Sequence, residues 1–166
     1  MRLIALFICI VSVATGVCAQ NIKDGWKGIK LFETNRKAVE KQFGAAAEED
    51  PIAFYYAKGF LIRIEYSREP CAALDAFTTM FTVPKDTVIE YWVAFESEKT
   101  KLSDITWNRD LYERVVDTHQ LWFIHYYDKK DNISLTTIKY REEDEFMREL
   151  WYAPSSQMKE RFGCKK

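Results

Sequence analysis

The sequence predicts an α+β domain in which short helices pack on an antiparallel β-sheet, closed by one disulfide. Three observations lead there. Helical spacing of apolar residues occurs at only two short places, 36–44 and 102–117. Six further runs are rich in Val, Ile, Phe, Tyr and Trp and are too short to be helices. Only two cysteines follow an N-terminal apolar segment of export type.

That segment comes first. Arg2 is a positive start, Leu3 to Val13 is an apolar run, and Val17-Cys18-Ala19 offers small residues to a signal peptidase. A membrane span needs about 20 apolar residues, which this run lacks. Residues 1–19 are therefore expected to be a cleaved signal peptide, with Gln20 opening a secreted or periplasmic chain. A lipid anchor at Cys18 is the alternative, but Thr15-Gly16-Val17 lacks the branched apolar residue three before the cysteine and the small residue just before it. Without residues 1–19 the chain has 147 residues, enough for one domain over 20–166.

The first helix is legible in detail. Thr34 or Asn35 can cap it, Val39 and Phe43 share one face, and Gly44 can end it. Ile29, Leu31 and Phe32 lead in as a staple-like contact over the first turn. Ile52 to Ala57 and Phe60 to Ser67 then read as a hairpin about Lys58-Gly59. In the second run Phe60, Ile62, Ile64 and Tyr66 alternate with Leu61, Arg63 and Glu65. An irregular excursion, 68–85, holds Cys71. Asp86 to Glu96 returns as a strand.

The plan then recurs. Leu111 and Val115 lie four apart, which predicts a second helix over 102–117. Strands are expected at Leu121–Tyr127, Ile133–Tyr140 and Phe146–Tyr152, and Ser155 or Ser156 caps a last short turn. Tyr55-Tyr56 is echoed by Tyr126-Tyr127, and Ile64 and Tyr66 by Ile138 and Tyr140. Half-repeats over 26–97 and 102–155 are the expectation.

Of the four cysteines, at 9, 18, 71 and 164, the first two leave with the signal. In an oxidising compartment the remaining two predict a Cys71–Cys164 disulfide. Without Arg2 the chain has 23 basic and 25 acidic side chains, so it lacks the basic excess that nucleic acid demands. No GxSxG, HExxH, GxGxxG or P-loop occurs, and no cofactor is expected. His119 and His125 would share a strand face but lack a third ligand, so no metal is expected. Asp128, Asp131 and Asn132 lack the glycine and glutamate of a calcium loop. Glu142 to Glu145 reads as a solvated acidic turn. Asn132-Ile133-Ser134 fits a glycosylation sequon.

The aromatic residues remain. Tyr55, Tyr56, Trp92, Tyr126, Tyr127 and Trp151 lie in expected strands. Consecutive rings point to opposite sheet faces, so one of each pair must leave a one-sided core. These six are the candidate binding residues. The expected role is a non-catalytic module that grips a protein or a cell-envelope ligand across its sheet. A carbohydrate- or small-ligand-binding domain is the alternative.

A resemblance adds export and a fold. Gly28-Ile29, Thr34, Val39 and Phe43-Gly44 are similar to the helix opening of small outer-membrane assembly lipoproteins and β-lactamase-inhibitor-like domains. More broadly, GWKGI at 25–29, IEYS at 64–67, VPKDTV at 83–88, LSDI at 102–105 and YAPS at 152–155 resemble a family of secreted bacterial proteins of unknown function. The resemblance implies no activity.

Overall fold

A computed structural model describes residues 21–47, 51–71, 80–119, 122–128, 130–140 and 144–165. The expected signal peptide and Cys18 lie outside the described residues, as do most of the excursion after Cys71 and part of the acidic turn at 142–145. Seven strands form one antiparallel sheet: β1 (Ile52–Ala57), β2 (Phe60–Tyr66), β3 (Val88–Phe95), β4 (Glu113–Val116), β5 (Phe123–Asp128), β6 (Ile133–Lys139) and β7 (Glu145–Tyr152). Their spatial order is β1-β2-β3-β7-β6-β5-β4. Two helices accompany the sheet, α1 (Arg36–Phe43) and α2 (Ser156–Phe162). The α+β class, the antiparallel sheet and the disulfide are those expected.

Helix α1 begins where Asn35 accepts a hydrogen bond from the Ala38 N–H at 3.0 Å. It ends at Gly44, whose φ of 88° is open to glycine. Its stripe buries Val39 fully, a contribution of about 1.5–3 kcal/mol. Phe43 leans on Tyr55 and Phe60. The lead-in differs from expectation. Phe32 does not staple the first turn but packs with Phe81 and Phe162, because this small apolar cluster buries it under α2.

Cross-strand register places the core on one face. One row runs Tyr55, Ile62, Val93, Leu150, Leu135, Tyr126 from β1 to β5. The next runs Ala53, Ile64, Tyr91, Tyr152, Ile133. All these side chains are buried.

The layer over this face contains little regular helix. Two three-residue 3-10 turns, Ile22–Asp24 and Trp26–Gly28, cross the centre. Backbone there needs partners, since an unpaired buried amide or carbonyl is costly. The sheet supplies them. The Tyr91 hydroxyl accepts from the Trp26 N–H at 2.8 Å and donates to the Ile29 carbonyl at 2.9 Å. The Tyr152 hydroxyl donates to the Ile22 carbonyl at 2.5 Å, and the two rings stack at 4.4 Å. Gly25 makes the turn at φ 90°, where a Cβ would lie 2.0 Å from the Ile29 carbonyl oxygen.

The second expected helix does not form. Over 102–117 the chain makes two 3-10 turns, Leu102–Asp104 and Arg109–Leu111, and then β4. The reason is long-range. Val115 and Val116 are β-branched and pair with His125 and Ile124 of β5. Leu111 and Val115, the expected stripe, are exposed. The helix-plus-sheet unit of the first half is thus not repeated among the described residues.

At the C-terminus Ser155 caps α2 through the Met158 N–H, as expected. Cys71 and Cys164 are bonded, with Cα atoms 5.7 Å apart. The Cys71 and Cys164 N–H groups donate to the Phe81 and Met80 carbonyls alongside. No helix among the described residues is long and apolar enough to cross a membrane.

Two outcomes are expected. The disulfide closes a loop of 93 residues, so replacing both cysteines with serine should cost up to about 4–5 kcal/mol in the chain-entropy model. Urea denaturation measures it, and an unchanged midpoint would contradict a stabilising bond. Burial pushes the Tyr66, Tyr91 and Tyr152 hydroxyls well above the ordinary phenol range. Their neutral forms therefore favour the fold fully below about pH 10, and that support is lost as pH rises further. Late tyrosinate absorbance should accompany loss of circular dichroism, whereas ionisation of all nine tyrosines in a folded protein would refute this.

Candidate functional site: the open sheet face

The second face of the sheet carries the residues that alternate with the core. Its central row runs Phe54, Arg63, Trp92, Trp151, Ser134, Tyr127 from β1 to β5. Strands lie about 4.8 Å apart, so this row spans roughly 24 Å. A parallel row runs Tyr56, Leu61, Ala94, Glu149, Thr136, His125. A third begins Ile52, Glu65, Glu90. These side chains are half-buried or exposed: Tyr56 is 70% exposed, Trp151 47% and Tyr127 41%. None of the row residues from Phe54 to Tyr127 belongs to the buried core.

The six candidate aromatic residues divide between the two faces. Tyr56, Trp92, Tyr127 and Trp151 stand on the open face. Tyr55 and Tyr126 face the core, where each has polar partners. The Tyr55 hydroxyl is 2.8 Å from that of Tyr66, whose ring lies 4.2 Å under the Arg36 guanidinium. The Tyr126 hydroxyl donates to Glu145 at 2.8 Å, and Glu145 also accepts from Thr137. Glu145 was expected in a solvated turn. Its position in β7 instead gives two polar groups a shared acceptor.

Phe54, Arg63, Glu65 and Glu90 of the open face carry no sequence motif. Only their strand alternation places them there. Glu65 and Glu90 are direct cross-strand partners, an arrangement of like charges that weakens a sheet. Burial, and then the charge of Glu90, raise the Glu65 pKa, while Arg63 and Arg68 oppose the shift. Arg63 lies 3.9 Å from Glu90. Where α2 meets the face, a cleft of about 340 Å³ is walled by Glu65, Glu90, Trp151, Pro154, Asn132 and Lys159.

The two histidines do not share a strand face. His119 follows β4 in an exposed turn and its N–H donates to Asp117. His125 lies on β5, 3.1 Å from the Thr136 hydroxyl, with its ring stacked along Tyr127. Among the described residues no group of three or more metal-ligating side chains occurs. Asp128 is buried at the β5–β6 turn, where it accepts from the Lys130 and Asp131 N–H groups. That bonding makes a self-contained Asx turn.

The chain matches no family model, no curated protein and no solved structure. The geometry of the face therefore carries the functional argument by itself.

Glu65 yields a signed prediction. Its carboxyl is held above the ordinary range, so the folded state favours the neutral form. That contribution is present below the unfolded pKa and is lost as pH rises through the folded one. Glu65→Gln should raise the melting temperature at pH 7, and the gain should vanish near pH 3.5. An equal gain at both pH values would show that charge is not the cause.

Proposed function

We propose that the protein is an exported, non-catalytic module that docks a partner protein across the open sheet face. One observation carries this reading. Phe54, Trp92, Trp151 and Tyr127 lie in a single row across the sheet, with charged and hydroxyl side chains interspersed. Such mixed aromatic and polar patches suit protein interfaces, where tryptophan and tyrosine supply most of the binding energy. The cleft at the edge of the face, about 340 Å³, lies at the low end of the range for ligand pockets. A buried small ligand calls for a deeper cavity with convergent polar groups. The disulfide and the apolar N-terminal segment support a role outside the reducing cytoplasm.

The test needs the face as its own control. A photo-crosslinking residue is placed at position 127, on the open face, and separately at Lys30, on the covering layer. The labelled chain is exposed to the secreted or periplasmic fraction of the native cell. The expected result is one defined protein adduct from position 127 and none from position 30. With that partner purified, Trp151→Ala should weaken binding by about 30-fold or more, the effect of a hot-spot tryptophan. Equal labelling from both positions, or unchanged affinity, would overturn the proposal. Binding to immobilised oligosaccharides that Trp151→Ala abolishes would replace it with the carbohydrate reading.

A further inference from the structure

We propose that the partner docked on the open face is a basic protein, whose arginine and lysine side chains lie over exposed rings beside glutamates of the face. This inference rests on the docking reading and names the partner's chemistry.

The charges of the chain are divided between its two sides. Strand register puts Arg63, Glu65, Glu90, Glu113 and Glu149 on the open face, one cation against four carboxylates. Two further cations border it: Arg148, exposed where the β6–β7 ladder is irregular, and Lys159 on α2. The covering layer reverses the balance, with six basic and three acidic side chains over 22–43. The chain as a whole is close to neutral, so the acidity of the face comes from placement rather than composition. A surface of one sign steers and selects a partner of the other.

The glutamates are also placed beside rings. Same-face residues two apart on a strand, or directly opposed on neighbouring strands, stand within about 7 Å of each other. Glu90 precedes Trp92 by two on β3, and Glu149 precedes Trp151 by two on β7. Glu113 of β4 stands opposite Tyr127. An aromatic face attracts a cation, and a carboxylate beside it accepts the cation's N–H groups. Arginine does both with one planar group.

At one of these places the chain supplies the cation itself. Arg63 is the cross-strand partner of Trp92 and lies 3.9 Å from Glu90. Trp151 and Glu149 repeat the arrangement with uncharged residues opposite: Trp92 and Ser134 flank Trp151, and Ala94 and Thr136 flank Glu149. Trp151 is 47% exposed, so a cation from outside can reach its ring. Arg63 is the internal pattern for the group this second place takes.

The test uses the full chain and two synthetic peptides of equal length, one alternating arginine with glycine, the other glutamate with glycine. Photo-crosslinking from position 127 should label the arginine peptide and not the glutamate peptide, and position 30 should not label the arginine peptide. At low salt Glu149→Gln should weaken arginine-peptide binding about threefold or more. Glu33→Gln, an equal change of charge on the covering layer, should leave it unchanged. Labelling of the glutamate peptide from position 127, or equal effects of the two variants, would overturn the proposal. The partner captured from the native cell separates this failure from that of docking. If Trp151→Ala weakens its binding while Glu149→Gln and added salt do not, only the basic chemistry falls. If none of the three has an effect, docking falls as well. A captured adduct of twice the chain's mass would overturn a separate partner in favour of the basic layer of a second copy.

Discussion

Two tyrosine hydroxyls hold the covering layer to the sheet. The segment over the centre of the core is too short and irregular to satisfy its own backbone. Tyr91 and Tyr152 reach up from β3 and β7 to serve three of its amide and carbonyl groups. Each such bond contributes only about 0.5–1.5 kcal/mol net, yet leaving its buried partner unmet costs more. Trp26 is thereby fixed edge-on against Phe60 and Phe95. With one face sealed in this way, the aromatic residues that alternate with the core stand on the other face, half-buried or exposed. Their availability follows from how completely the first face is closed.

Strands β3 and β7 form the middle of the sheet, and reading outward from them the order is similar on both sides. One side runs β3, β2, β1 and the other β7, β6, β5, with β4 added at the edge. Tyr55 and Tyr126 end the same cross-strand row. The covering elements do not follow this symmetry. The helix α1 lies over the β1 side, while Trp107 and Tyr112 cover Tyr126 on the other. Aromatic packing thus does on one side what an amphipathic helix does on the other.

How much of this was legible in the sequence depended on the range of the deciding interaction. Helix α1 was readable because Asn35, Val39 and Gly44 lie within one short stretch. So was the β1–β2 hairpin, whose turn and alternation are adjacent. Strand β4 was misread because Leu111 and Val115 imitate helical spacing, and only the ladder to β5 decides between the two. The 3-10 turns near Trp26 gave no signal, since their hydrogen-bond partners lie on β3 and β7. On the candidate site, alternation showed that one ring of each tyrosine pair must face outward. Which ring it is follows from strand register, a property of pairs of strands rather than of any one run. Glu145 was hidden for a related reason: its partners are on two neighbouring strands.

The meeting of β3 with β7 has a kinetic consequence. Hairpins such as β1–β2 and β5–β6 close over a few residues, whereas the central seam joins β3 to β7, strands separated in sequence by β4, β5 and β6. Loop-closure entropy makes such non-local pairing the slow event in a β-rich chain. Each half can therefore zip up locally while the seam is still open, and during synthesis the seam must wait until β7 has emerged. Trp92 and Trp151 become neighbours only when it shuts. The two indoles paired across the seam are thus also optical markers of its closure.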